Sequence, residues 1–307
     1  MKTISILIPT YNEEGNVLSL YDALREQLAA LEDRYDYEIL FIDNKSTDST
    51  REKLLQLCRQ DTRVKVICNT RNFGQRRSSY YGFLQTTGNC AIAMNADFQD
   101  PPEMLPRMVE AWEQGHKIVC MVKTASLENP FMRGLRTLYY KSLRAMSGIE
   151  IIEHFTGFGL YDKCVRDVMR GLDEPDPFFR GLVAELGFDV TTIQFTQAKR
   201  RAGKSSNNFF TLYDYAMIGI TTYTKAGLRL ATPLGLLAAG ASGIAAVICM
   251  ILGKWDLLLM LGMFFLGGVQ LFFLGILGEY VINIQRRGMK RPLVIEEYRL
   301  NYEEDVR

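Results

Sequence analysis

The chain has 307 residues and a formal charge of +1, from 36 basic and 35 acidic side chains. That length suits one large or two ordinary domains, and the balance excludes a partner held by bulk positive charge, so no nucleic acid is expected. Six cysteines (Cys58, Cys68, Cys90, Cys120, Cys164, Cys249) show no C-x-x-C or metal-ligand spacing, and the two histidines, His116 and His154, stand apart. This excludes a zinc or disulfide scaffold, and fits reduced, mostly buried thiols and structural or surface histidines.

Residues 3–8 are apolar and β-branched, and Pro9-Thr10-Tyr11-Asn12 breaks the run: a strand ending in a loop. Glu13-Glu14 opens a helix to about Leu31, with Val17, Leu20, Leu24, Leu28 and Leu31 on one face. A second strand, 37–42, ends in the polar stretch Asp43-Asn44-Lys45-Ser46-Thr47-Asp48-Ser49-Thr50, which offers helix caps. Helix 51–59, strand 64–68, the loop Asn69-Thr70-Arg71-Asn72-Phe73-Gly74-Gln75 and a helix to about Thr86 follow. The run 90–94, bounded by Gly88-Asn89, reads as a buried strand leading into Asn95-Ala96-Asp97-Phe98-Gln99-Asp100-Pro101-Pro102 and a helix over 103–114. A fifth strand is expected at 117–122.

Beyond residue 125 the pattern is less regular. Residues 130–146 look helical and carry Arg133, Arg136, Lys141 and Arg144. Residues 155–160 read as a glycine-broken apolar loop, 178–186 as a helix and 189–196 as a strand. Lys199-Arg200-Arg201-Ala202-Gly203-Lys204-Ser205 packs four cations into six residues. A solvated loop is the plain alternative; a mobile clamp for phosphate is favoured. Residues 208–230 place Phe209, Leu212, Tyr213, Ala216, Ile220 and Tyr223 at helical spacing, as interfacial amphipathic helices or as helices packed on the first domain.

Two runs, 231–253 and 257–277, contain no charged residue. At about 1.5 Å per residue each can cross an apolar layer of about 30 Å. Only Lys254-Trp255-Asp256 separates them, which predicts a two-helix transmembrane hairpin. Lys225, Arg229, Arg286, Arg287, Lys290 and Arg291 on its outer flanks put both flanks in the cytoplasm by the positive-inside rule. No signal peptide is expected before the first domain. The predicted layout is a catalytic domain at 1–206, juxtamembrane amphipathic helices at 207–230, two transmembrane helices at 231–284 and a cytoplasmic tail at 285–307: a multi-pass protein of the cell membrane with a cytoplasmic catalytic domain.

Strands alternating with helices give an α/β fold with a mostly parallel sheet and right-handed crossovers. Ligands of such sheets bind outside the carboxyl ends of the strands. Four of those ends carry polar loops: Tyr11-Asn12-Glu13, Asp43, Arg71-Asn72 and Asp97. A carboxylate and a carboxamide two residues apart, Asp97 and Gln99, suit a hard cation, Mg²⁺ or Mn²⁺, shared with phosphate. No GxGxxG follows the first strand and no Walker motif follows any; Gly203-Lys204-Ser205 lacks the upstream glycine.

In the order and spacing of Ile8-Pro9-Thr10-Tyr11-Asn12-Glu13, Asp43-Asn44-Lys45-Ser46-Thr47-Asp48, Arg71-Asn72-Phe73-Gly74, the 95–103 stretch, Phe179-Arg180-Gly181-Leu182, the 200–205 stretch and Leu277-Gly278-Glu279-Tyr280, the chain resembles family 2 glycosyltransferases of the GT-A fold. More narrowly, it is similar to the polyprenyl-phosphate glycosyltransferases, the dolichol-phosphate mannose synthase and bactoprenol glucosyltransferase group. That resemblance implies a Rossmann-like catalytic domain that takes a nucleotide-diphosphate sugar and a polyprenyl phosphate lipid at the membrane, and it leaves room for a homo-oligomer. It implies nucleotide-sugar binding by Pro9, Tyr11, Glu13, Asp43, Asn95, Asp97 and Ser205, with Asp43 reading the base. Asp97 and Gln99 would hold the metal, and Arg200 and Ser205 would belong to a loop closing over the phosphates. Arg133 and Arg136 are assigned to the acceptor phosphate by charge and rough location. Asn95 stands where the family usually has Asp. This keeps open a membrane-anchored nucleotide-sugar sensor or scaffold without catalysis. A processive polysaccharide synthase is disfavoured, because neither Trp112 nor Trp255 lies in a Gln-x-x-Arg-Trp motif.

Overall fold

The computed structural model describes residues 1–125, 155–172, 174–197, 255–289 and 291–302, with isolated positions at 141, 152 and from 217 to 251. The chain divides into two compact units. One comprises Met1–Leu135, Glu150–Ser206 and Lys290–Arg307; the other comprises Arg136–Ile149 and Asn207–Met289.

The first unit is built on one sheet of eight strands: β1 (Lys2–Thr10), β2 (Tyr35–Asp43), β3 (Val64–Asn69), β4 (Cys90–Ala93), β5 (Ile118–Ala125), β6 (Phe155–Asp162), β7 (Val190–Thr196) and β8 (Glu296–Leu300). Their order is β7-β5-β6-β4-β1-β2-β3-β8. β1 pairs in parallel with β2 and β4, and β2 with β3. Both faces of these strands are covered. Ile39 and Phe41 of β2 enter one apolar cluster, while Leu40 and Ile42 enter the other. Two-sided burial is why the strands read as continuous apolar runs rather than as alternation.

Helix α1 (Val17–Ala29) lays Val17, Leu20, Leu24 and Leu28 on the first face, as its spacing predicts, and Leu31 beyond it is buried too. α2 (Thr50–Gln60) and α4 (Leu105–Glu113) cover the same face through Leu54, Leu57, Leu105, Met108 and Val109. α3 (Gln75–Gln85), α5 (Lys163–Gly171) and α6 (Phe179–Glu185) cover the other with Tyr80, Phe83, Val165, Met169 and Leu182. Helix 103–114 begins as a tighter 3₁₀ turn, Pro102–Met104, before α4.

Three sequence expectations change. The segment 155–160, expected as a loop, is the core of β6. β6 lies between β4 and β5, antiparallel to both, so β5 does not neighbour β4. Gly159 does not break the strand; it admits it. A Cβ there would sit 2.3 Å from the Val119 carbonyl oxygen. The segment expected as a tail from 285 onward carries β8, which adds to β3 in antiparallel sense. The second apolar helix is longer than expected. α7 (Trp255–Gly288) has 34 residues, and the stretch in it that is long and apolar enough to cross a membrane is Phe265–Gln285. Phe265, Leu271, Leu274 and Val281 along it are exposed, as a lipid-facing surface would be. In the partner span expected at 231–253 the described positions, scattered between 233 and 251, are helical, but among the described residues the apolar helix there, Pro233–Ser242, is shorter than a membrane crossing, so the hairpin is not shown.

Candidate functional site

Parallel pairing brings the strand ends together. Thr10 is in register with Asp43, Asp43 with Cys68, and Leu7 with Ala93. The loops after β1, β2, β3 and β4 therefore share one edge, as the alternation of elements predicts.

Those loops are bonded to one another. The Asn12 backbone N–H donates to Ser46 Oγ at 2.9 Å, and Glu13 N–H to Thr50 Oγ1 at 2.8 Å. Asn12 Oδ1 accepts from Thr47 N–H at 2.8 Å. The buried Asn44 ties three segments: its Oδ1 accepts from Asn69 Nδ2 (3.1 Å) and Phe73 N–H (3.0 Å), and its Nδ2 donates to Asn72 Oδ1 (3.0 Å). Asn12, Lys45 and Phe98 have φ of +56°, +64° and +61°. A left-handed non-glycine residue is uncommon and costs energy, and such residues gather where function over-determines the backbone. Here the loops after β1, β2 and β4 hold one each.

In the loop after β4, Asp97 is buried and its Oδ1 accepts from Gln99 N–H at 3.1 Å, an Asx turn that fixes the backbone around Phe98. Gln99 is half-buried. Asp100 is buried; its Oδ2 accepts from the Asn95 backbone N–H (2.9 Å) and from Asn95 Nδ2 (2.7 Å), while Oδ1 has no hydrogen-bond partner. Burial pushes the Asp100 carboxyl up to about 6, against the bonds from Asn95, and the nearby Asp97 charge adds to the rise. Asn95 Oδ1 in turn accepts from Gln75 Nε2 at 3.0 Å, at the start of α3.

Among the described residues no group of three His, Cys, Asp or Glu side chains could cage a metal alone. Mg²⁺ does not need one, since it commonly takes one or two carboxylates and completes its shell with water and substrate phosphate. Asp97 and Gln99, with the orphaned Asp100 oxygen behind them, fit that open habit.

Asp43 is enclosed. Ser46 N–H (3.1 Å) and Arg51 Nε (2.6 Å) donate to its Oδ2, and Ser46 Oγ–H to its Oδ1, so it has no exposed oxygen. Tyr11 is exposed at the edge, with Pro9 and Glu13 half-buried beside it. Neither Ser46 nor Arg51 is legible in the sequence as a site residue. Three and eight positions after Asp43, across a loop and into α2, they follow no single period.

Arg133, Arg136, Arg200 and Ser205 lie outside the described residues, as does His154. His116 pairs with Asp189 at 2.6 Å, and the described cysteines are free, with Cys58, Cys68, Cys90 and Cys120 buried. A shallow cavity lined by Arg107, Gln114, His116 and Thr191 sits at the starts of β5 and β7, the opposite edge from Asp97.

The model of the family described as Glycosyl transferase family 2 matches residues 5–165. The chain is 33% identical over 300 residues to the uncharacterized glycosyltransferase YkcC of Bacillus subtilis, covering 95% of this chain and 92% of that protein. It is 31% identical to the uncharacterized glycosyltransferase sll0501 of Synechocystis, over 95% of this chain and 94% of that one. Against the bactoprenol glucosyl transferase of Shigella phage SfX the identity is 30%, over 94% and 97% respectively. Because the family match takes in β1 through β6, and with them every loop of the edge described above, the chain belongs to glycosyl transferase family 2.

Proposed function

We propose that the protein is a membrane-anchored inverting glycosyltransferase. It moves a hexose from a nucleotide-diphosphate sugar, UDP-glucose or a UDP-N-acetylhexosamine, to polyprenyl phosphate, with undecaprenyl phosphate as the acceptor, on the cytoplasmic leaflet. The observation that carries this reading is the convergence of four parallel strand ends on one edge, with Asp97 and Gln99 in the loop after β4. The near full-length similarity to a bactoprenol glucosyl transferase supports the lipid acceptor.

A lipid phosphate is anionic near neutral pH, so it attacks the anomeric carbon without a strong base. The demand falls on the departing nucleoside diphosphate. A divalent ion held by Asp97 and Gln99 would supply charge neutralisation there. Tyr11, Pro9 and Glu13 line the nucleotide's approach. Asp43 acts from behind by fixing Ser46. Arg200 and Ser205 close over the phosphates, and Arg133 and Arg136 receive the acceptor phosphate. Preorganised cations and positioning supply the rate. A single displacement inverts the sugar, so an α-linked donor yields a β-linked lipid product.

Strand direction supports these assignments. β5 and β7 both end at the Asp97 edge and β6 begins there. The chain that carries Arg133 and Arg136 thus leaves and rejoins the sheet at that edge, and the chain that carries Arg200 departs from it. β8, antiparallel to β3, begins at that edge as well. A chain that leaves a sheet and returns to the same sheet crosses a membrane an even number of times. In this reading Phe265–Gln285 is one crossing and the apolar run 231–253 supplies the other, the multi-pass hairpin expected from the sequence. Asn95, the feature that kept a non-catalytic sensor open, donates to Asp100 as a carboxylate could not.

The test is transfer of label from radioactive nucleotide sugars to undecaprenyl phosphate, with purified protein in detergent, with and without Mg²⁺ or Mn²⁺. Metal-dependent label in the lipid phase that disappears in Asp97→Ala is expected and names the donor. Nucleotide-sugar binding without any lipid product would falsify the transferase reading.

A further inference from the structure

We propose that Glu297 is a positioning residue for the donor site: from the strand that follows the apolar helix, it holds the loop after β2 in its nucleotide-binding shape. The inference rests on the glycosyltransfer reading above and adds a residue to it.

Glu297 Oε2 accepts from Lys45 Nζ at 2.8 Å and from Arg51 Nη1 at 3.0 Å. Arg51 spends its other nitrogens on the same region: Nε on Asp43 Oδ2 at 2.6 Å and Nη2 on the Asn69 carbonyl oxygen at 2.8 Å. One guanidinium thus joins β8 to the ends of β2 and β3. Asp43 then fixes Ser46, and Ser46 Oγ accepts the Asn12 N–H beside Tyr11. The path Glu297, Arg51, Asp43, Ser46, Asn12 runs from the far end of the chain to the first loop of the site. Glu297 is 246 residues from Arg51 in sequence, and the other four members lie within the first 51 residues.

Lys45 gives the second observation. It stands two residues after Asp43 in left-handed backbone, which a lysine adopts at a cost. Its ammonium group is anchored on Glu297. Removing that anchor frees the residue to return to ordinary backbone and to carry Ser46 with it. Hydrogen bonds from Lys45 and Arg51 hold the Glu297 carboxyl below its ordinary value, so it is charged at neutral pH.

A purely structural role for this carboxylate is weak. The Glu297 and Lys45 side chains are 38% and 41% exposed, and pairs so placed add little to global stability. β8 has other attachments: its backbone pairing with β3, Tyr81 O–H on Glu296 at 2.7 Å, and Asn301 Nδ2 on the Cys58 and Val64 carbonyl oxygens at 2.8 Å. The strand stays when the Glu297 charge goes.

The experiment compares wild type, Glu297→Ala and Glu297→Gln, as full-length protein in detergent, by donor KM, acceptor KM, kcat and melting temperature. Glu297→Ala is expected to raise the donor KM about fivefold, the equivalent of roughly 1 kcal/mol. Acceptor KM, kcat and melting temperature stay at wild-type values. Glu297→Gln, which keeps an accepting oxygen but not the charge, falls between. An unchanged donor KM in Glu297→Ala, or a parallel fall of kcat and melting temperature, overturns the proposal. A wild-type protein that transfers no sugar sinks the glycosyltransfer reading instead.

Discussion

Asn95 shows what a single residue's partners decide. In sequence it is a missing acid in a metal motif; in the fold its Nδ2 donates to Asp100 and its Oδ1 accepts from Gln75. Asn95→Asp would set a second carboxylate against the buried Asp100 Oδ2 and delete a half-buried donor. We expect a stability loss of about 1–3 kcal/mol in denaturant unfolding, and no gain in turnover. Higher turnover would restore the lost-ligand view. Glu38 makes a prediction in pH. Burial alone would raise its carboxyl, but Lys65 at 2.6 Å, Ser5 and Thr87 outweigh burial and hold it below the ordinary 4.5. A depressed native value contributes stability that is complete above 4.5 and fades as pH falls through the native value. Glu38→Gln should flatten the acid limb of a melting-temperature profile between about pH 5 and 3 relative to wild type. An identical slope refutes the assignment. Lys65→Met, which strands the buried charge, should cost about 3 kcal/mol near neutral pH.

Among elements, β6 and β8 carry the lessons. Both were legible as apolar or mixed segments and neither as strands. β6 reads as a loop in the sequence because glycines usually punctuate loops, whereas Gly159 is there to let the backbone pass Val119. Gly159→Ala should destabilise by about 2 kcal/mol, read as a lower urea midpoint at constant m-value, because the obstacle is backbone and cannot rotate away. β8 was hidden by its length and its charges. Glu296-Glu297-Tyr298-Arg299-Leu300 alternates half-buried and exposed, which suits an edge strand but is too short to stand out. Ending the chain at Met289 uncovers the β3 edge, and size-exclusion chromatography should show association beyond that of the full chain.

For the whole molecule, β8 turns a sheet connection into a statement about the membrane. The chain returns to its own sheet after α7, and the proposed hairpin pairs a crossing by Phe265–Gln285 with one by the apolar run 231–253. A cysteine introduced by Lys254→Cys should react with an impermeant thiol reagent on intact expressing cells, and one introduced by Asp33→Cys only after lysis. Equal protection of both before lysis removes the hairpin.

The sequence by itself determined the first four strands and their helices, the α1 stripe and the shared edge of their loops. Those features are local: each depends on the spacing of apolar residues within one element and on the polar residues that end it. It also determined the family, through motifs carried in those same loops. Only the tertiary structure decided that a C-terminal strand completes the sheet, that β6 divides β4 from β5, and that Asp43 faces Arg51 and Ser46 rather than solvent. These are pairings between distant segments. A hydrogen bond from Arg51 to Glu297, 246 residues away, leaves no periodic mark on either, because its energy belongs to the juxtaposition and not to either stretch of chain.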